Sequence, residues 1–170
     1  LVVATSGSTG LPKGVVLTHD ALTANAEATN SYLDVESNTD KWLACLPLSH
    51  VGGFSVVVRA LHSEVALEVH DGFDADRVSE AAQNGATLVS LVPTAMGRID
   101  TAHFRKVLVG GSAVPSNRPS NVIATYGMTE TGSGVIYDRR PLEGVELRIQ
   151  QGRFQEAEAA LKVALQESEQ

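Results

Sequence analysis

Thr5-Ser6-Gly7-Ser8-Thr9-Gly10-Leu11-Pro12-Lys13-Gly14 is the stretch that decides what this chain is. It lies between two short β-prone runs, Leu1 to Thr5 and Val15 to Thr18. Gly7 and Gly10 let backbone N–H groups come close to an anion, Ser6, Ser8 and Thr9 offer hydroxyl donors, and Lys13 adds a mobile positive charge suited to the outer phosphates of a nucleotide. By composition alone the stretch also fits a flexible Ser/Gly hairpin turn. The order of the residues argues for a phosphate cradle, because Pro12 and Lys13 follow the second glycine directly. A Walker-type loop fails on the same criterion: it needs Gly before the lysine and Ser or Thr after it, opening a helix. Here Pro12 precedes Lys13 and Gly14 follows.

Outward from this loop, apolar β-prone runs recur at Trp42 to Leu46, Val65 to Val69, Thr87 to Val92, Lys106 to Val109 and Val122 to Thr125. Helix-like stretches separate several of them. One runs from about Ala21 to Tyr32 with Thr18 or Asp20 as cap, another from Val51 to Leu61, and a third from Asp74 or Asp76 to Gln83. Short continuous apolar strands alternating with helices predict an α/β fold whose mostly parallel sheet is covered on both faces. Gly134 to Tyr137 and Val145 to Ile149 add strands around a Pro-Leu-Glu-Gly turn.

The composition fits that class, with 43% hydrophobic and 19% charged residues in a chain of 170. A formal net charge of −7 and the lack of any Lys/Arg cluster exclude a nucleic-acid partner, whose phosphates demand clustered cations. Cys45 is the only cysteine, so no internal disulfide can form, and in Trp-Leu-Ala-Cys-Leu it reads as a small buried hydrophobe of a reducing compartment. No apolar run is long enough to span a bilayer, and no leader pattern opens the chain, so the expected location is cytoplasmic. Leu1-Val2-Val3-Ala4 already has a buried-strand pattern without a starting Met, which reads as a chain beginning inside a domain.

Residues 150–170 change character. Phe154, Ala157, Leu161, Ala164 and Leu165 fall on one helical face, predicting an amphipathic helical tail. Its spacing resembles the second helix of a tetratricopeptide repeat, of which only half would be present. A plain amphipathic tail and a repeat-derived helix both remain open.

The loop at Thr5 to Gly14 resembles the signature of the adenylate-forming superfamily (acyl-CoA synthetases, peptide-synthetase adenylation domains, luciferases), matching its Thr-Ser-Gly-Ser/Thr-Thr-Gly-x-Pro-Lys-Gly pattern throughout. Tyr126-Gly127-Met128-Thr129-Glu130-Thr131 resembles the second signature of the same superfamily, in the right order downstream. Physically, the Tyr126 ring can stack on adenine, Thr129 can hydrogen-bond the α-phosphate, and Glu130 offers the hard oxygen that Mg²⁺ prefers. Leu108-Val-Gly110-Gly111-Ser112-Ala-Val114 resembles the Gly-Gly segment lining the adenine and acyl pocket. Leu46-Pro-Leu-Ser-His50-Val-Gly52-Gly53 resembles the segment where a histidine sits beside the acyl group, as an aromatic wall or hydrogen-bond donor. His19, His62, His70 and His103 show no zinc-ligand spacing.

The resemblance covers residues 1–149, a partial AMP-binding domain. It implies ATP, Mg²⁺ held by Thr5 and Glu130, and coenzyme A as co-substrate. Lys13, Thr129 and Glu130 would be catalytic, with Thr5, Ser6, Gly7, Ser8, Thr9, Gly10, Gly110, Gly111, Ser112, Tyr126 and Gly127 around the nucleotide and His50, Gly53 and Arg59 around the acid. In such enzymes a small-molecule carboxylic acid attacks the α-phosphorus of ATP, giving an acyl-adenylate and pyrophosphate, and a thiol then displaces AMP. The ribose-binding aspartate, the hinge and the small domain with the catalytic lysine would follow Ile149 and do not occur in this sequence. The 170 residues alone are therefore expected to adenylate weakly or not at all.

Arg59 bears on the substrate. It stands in an otherwise apolar helix, Phe54-Ser-Val-Val-Val-Arg59-Ala-Leu61, where a buried charge needs an anion unless its stem carries it to the surface. An arginine at this spacing after His50 resembles o-succinylbenzoate-CoA ligases of menaquinone biosynthesis, where it serves a substrate carboxylate. Tyr137-Asp-Arg-Arg-Pro-Leu-Glu-Gly-Val-Glu-Leu-Arg148 resembles actinobacterial members of that group. Another acyl- or aryl-CoA synthetase, or a truncated noncatalytic protein with an interaction helix, are the alternatives.

Overall fold

Strand β3 (Lys41–Ala44) shows how the sheet is built, because side chains alternate across a strand. Trp42 and Ala44 enter one core cluster, while Leu43 and Cys45 enter another on the opposite face. The computed structural model describes residues 1–5, 13–148 and 162–165. Its elements before β3 are β1 (Val2–Thr5), β2 (Lys13–Val16) and helix α1 (His19–Tyr32). After β3 come α2 (Val51–His62), β4 (Ala66–Val69), α3 (Ala75–Gln83), β5 (Leu88–Leu91) and a single helical turn α4 (Pro93–Met96). Then follow β6 (Lys106–Val109), β7 (Val122–Met128), β8 (Ser133–Tyr137), β9 (Arg140–Pro141), β10 (Val145–Arg148) and β11 (Lys162–Leu165).

Seven strands form one sheet in the order β4-β3-β5-β6-β7-β8-β9. The first five run parallel, and β8 and β9 are antiparallel to their neighbours. Helix α2 carries the chain from β3 out to the edge strand β4, and α3 brings it back past β3 to β5. With crossovers of fixed hand, reversing direction along the sheet puts the returning helix on the other face. The core clusters show this: Val56 and Ala60 of α2 pack with Trp42, Leu88 and Leu108, whereas Val78 and Ala81 of α3 pack with Leu43, Val89 and Val107. The sheet is therefore mostly parallel and flanked by helices. The reversal leaves a topological switch point between β3 and β5, whose carboxyl ends are the expected place for a ligand crevice in such sheets.

The helix starts follow the capping logic. Thr18 caps α1, its Oγ1 accepting the Ala21 N–H at 3.1 Å, and Asp74 caps α3 by accepting the Arg77 N–H at 3.0 Å. The short link from Pro115 to Asn121 carries no helix. Among the described residues, no helix is long and apolar enough to cross a membrane.

The helical tail expected at 150–170 lies mostly outside the described residues. Where it is described, it differs from the expectation: Lys162–Leu165 is a strand, antiparallel to β10. The same Val-Ala-Leu run that fits a helical face can supply backbone partners to an open strand edge, which is what β10 presents here.

Cys45 is fully buried in the core cluster on the α3 face. Burial pushes its thiol up to about 11. Alkylation of the native chain near pH 8 is therefore expected to be far slower than that of the urea-unfolded chain, because the reactive species is the thiolate. Equal labelling rates in the two states would contradict this placement.

Candidate active site

The carboxyl ends of β3, β5, β6 and β7 open onto one pocket. Leu46 follows β3, Leu91 and Val92 close β5, Gly110 and Gly111 follow β6, and Thr125, Gly127 and Met128 come from β7. Val51, Gly52 and Arg59 of α2 with Ser133 and Tyr137 of β8 form its inner wall. The pocket thus spans the switch point and brings together three of the segments singled out in the sequence.

Each segment is shaped for close approach. Gly110 has no room for a side chain, because a Cβ there would collide with Thr125 Oγ1, and Gly111 turns the chain with φ +83°. Gly127 sits at a register shift of the β7–β8 pair, where a Cβ would meet the Ser133 backbone. The bulge turns the chain into a short 3₁₀ turn, Thr129–Thr131. Thr131 Oγ1 accepts the Met128 N–H at 3.1 Å, and Asn25 of α1 donates through Nδ2 to Gly134 O at 2.9 Å and to Thr131 O at 3.4 Å. Glu130 is left on the exposed side of this turn. Strand β2, which Lys13 opens, lies against the same turn.

Lys13 is exposed and pairs in register with Thr5, whose Oγ1 donates to Lys13 O at 3.4 Å. Ser6, Gly7, Ser8, Thr9 and Gly10 lie outside the described residues. Thr129 is half-buried in the turn, and Tyr126 is 49% exposed between two pocket-lining neighbours. Ser112 and His50 are exposed and do not line the pocket, although the adjoining Gly111 and Val51 do. Gly53 does not face the pocket either. It is buried where a Cβ would strike Pro47 O, so its visible role is to let α2 start tight against the preceding loop.

Arg59 does not snorkel to the surface. It is 2% exposed, and its guanidinium lies with its carbon 5.7 Å from the centre of the Trp42 ring. It donates to Ser90 Oγ at 3.3 Å, to Ser133 Oγ at 2.6 Å and to the Tyr137 hydroxyl at 3.4 Å. Among the described residues no carboxylate pairs with it, and its Nε is buried without a partner.

Sequence reading missed these hydroxyls. Ser90 carried a usable signal, being the one polar residue in the fully buried strand Leu88-Val-Ser-Leu91. The buried face of α1 is likewise polar at Asn25, Thr29 and Asn30, which an apolar periodicity search passes over. Asp40 was missed as well. Burial pushes its carboxyl up, but hydrogen bonds from Arg105, the Glu36 backbone and Thr87 together outweigh that and hold it below the usual carboxylate range.

A mostly parallel sheet with a glycine-lined pocket at its switch point is the architecture of a nucleotide-binding α/β protein. The AMP-binding enzyme family model matches residues 1–165, and this chain belongs to that family. A probable 2-succinylbenzoate–CoA ligase of Mycobacterium tuberculosis is 37% identical over 175 residues, covering 89% of this chain and 44% of the relative. A 2-succinylbenzoate–CoA ligase of Lactococcus lactis is 33% identical, covering 89% and 39%. Among solved structures, o-succinylbenzoate CoA synthetase from Bacillus subtilis bound to its acyl-adenylate intermediate superposes with TM-score 0.80 at 26% identity, covering 88% of this chain and 36% of that one. The same enzyme is also known in complex with ATP and magnesium, with TM-score 0.79. The chain therefore spans less than half the length of the relatives it matches.

Proposed function

We propose that this chain is the ATP-binding part of an enzyme that activates a carboxylic acid as its acyl-adenylate and passes the acyl group to coenzyme A, with o-succinylbenzoate as the acid. The observation that carries the choice of acid is Arg59: a buried guanidinium on the pocket wall with no carboxylate partner among the described residues. Leaving such a charge without an anion is costly, and a substrate carboxylate would remove that cost. The named activity of the relatives, on a substrate with two carboxylates, agrees with it.

Within this reading one carboxylate of the acid faces Arg59 and the other is the nucleophile towards the α-phosphorus of ATP. Lys13 and the backbone of the loop at residues 5–14 hold the outer phosphates, Thr129 contacts the α-phosphate, and the half-exposed Tyr126 ring stacks on adenine. Gly110 and Gly111 allow the nucleotide and the acid to approach the strand ends, with Ser112 and His50 at the rim. Glu130, a hard oxygen donor exposed on the turn beside β2, suits Mg²⁺, with Thr5 on the neighbouring hairpin as the second candidate ligand. The ion supplies neutralisation of phosphate charge. The protein's contribution is positioning and fixed electrostatics, with no protein nucleophile needed. A cytoplasmic location fits a reaction consuming ATP and coenzyme A.

Titrating the chain with ATP by calorimetry, with and without Mg²⁺, tests the reading. The parent chain is expected to bind, Lys13→Ala to weaken binding roughly tenfold or more, as loss of a charge-assisted phosphate contact should, and Glu130→Ala to abolish the Mg²⁺ dependence. A parent chain that does not bind ATP refutes the assignment.

A further inference from the structure

Arg59 is held by neutral oxygens only, and the direction of every bond around it is fixed. A guanidinium can only donate, so Ser133 Oγ and the Tyr137 hydroxyl must accept from it. Ser133 donates to Ser55 Oγ at 3.1 Å, and Ser55 donates to Gly52 O at 3.3 Å. The Tyr137 hydroxyl also shares a hydrogen bond with Thr29 Oγ1 at 3.1 Å. Two hydrogen-bonded chains thus run from Arg59, one into the first turn of α2 and one into α1. Tyr137 is fully buried, and its ring stands edge-on to Tyr32 with centroids 5.2 Å apart, which keeps its hydroxyl in place.

The chemistry of the anchors matters. A carboxylate in their place would fix the guanidinium and also cancel its charge, leaving nothing to attract a ligand anion. Hydroxyls fix its orientation while leaving the positive charge available to the pocket. We propose that Ser133 and Tyr137 are positioning residues that hold the Arg59 guanidinium in one orientation at the pocket wall, and that this sets the preference for an acid carrying a second carboxylate. The inference rests on the reading of Arg59 as a carboxylate site. It extends that reading to β8, the strand that leaves the Glu130 turn, so the nucleotide-side turn and the acid-selecting charge share one support.

The test compares two ligands, o-succinylbenzoate and the same acid without its ring carboxylate. Each is titrated calorimetrically, with Mg²⁺ and ATP present, into the parent chain and into Arg59→Ala, Ser133→Ala and Tyr137→Phe, with thermal melts to check folding. Ser133→Ala and Tyr137→Phe are each expected to lower affinity for the two-carboxylate acid roughly tenfold while changing that for the one-carboxylate acid by less than about threefold. The ratio between the acids is a readout that general loosening of the core would not move. Tyr137→Phe removes a single oxygen and carries the test if Ser133→Ala fails to fold. If Arg59→Ala loses the preference while the two hydroxyl variants keep it, or if they weaken both acids equally, the positioning role is overturned and the Arg59 reading stands. A parent chain without the preference, or an Arg59→Ala chain that retains it, overturns both.

Discussion

Arg105→Ala is expected to cost about 3 kcal/mol of folding stability, measured as a shift in the urea midpoint at constant slope. Arg105 grips Asp40 with two bonds, Nε to Oδ1 at 2.9 Å and Nη2 to Oδ2 at 2.5 Å. It also donates to Leu33 O at 2.9 Å, tying the end of α1 to the region before β6. Asp40 is almost fully buried, so removing its partner strands a carboxylate in the interior. The figure sits at the low end of the range for breaking a buried pair because the Arg105 side chain is itself 36% exposed. The pH dependence has a definite sign. The folded-state pKa of Asp40 is depressed, so its contribution is present above the unfolded carboxylate value of about 4 and is lost as pH falls through the lower folded value. Without Arg105 that carboxyl takes up a proton more readily in the folded state. The stability gap between variant and parent should therefore narrow as pH drops towards 4, and a gap that widened on acidification would contradict the pairing.

Gly127→Ala is the second change expected to have a large effect. Its new methyl would meet the Ser133 carbonyl and the Gly134 Cα, both backbone atoms that cannot rotate away as a side-chain tip would. Relief requires the β7–β8 bulge to move, and with it the turn carrying Thr129 and Glu130. We expect a loss of about 3 kcal/mol, the upper part of the usual overpacking range, together with weaker ATP binding. Gly72→Ala is the control, since a Cβ there meets nothing within 4 Å, and its effect should stay within about 0.5 kcal/mol. Equal melting temperatures for the two variants would show that the bulge is not constrained as described.

The local parts of this protein were legible because the information for them is contiguous. The strand at Trp42 to Leu46 announces itself by an apolar run, and α1 and α3 begin at Thr18 and Asp74, residues whose side chains accept the N–H groups that a helix start leaves free. The motif around Tyr126 was readable for the same reason: a strand-to-turn bulge needs its residues in immediate succession. Local periodicity misled at Lys162–Leu165, where backbone pairing with β10 replaces the expected helical face.

By itself, then, the sequence determined the alternation of strands and helices, the family signatures and the presence of an arginine where an apolar residue would be expected. The tertiary structure decided the strand order, with β3 between β4 and β5, and therefore where the strand ends open onto a pocket. It also decided that Arg59 is buried and what holds it. Ser90 is 31 residues away along the chain, Ser133 is 74 and Tyr137 is 78. No local pattern joins those positions. Hydrogen bonds between side chains on different elements depend on how helices and strands are packed, and only the folded sheet, with α1 and α2 laid across one face, brings three hydroxyls to one charge.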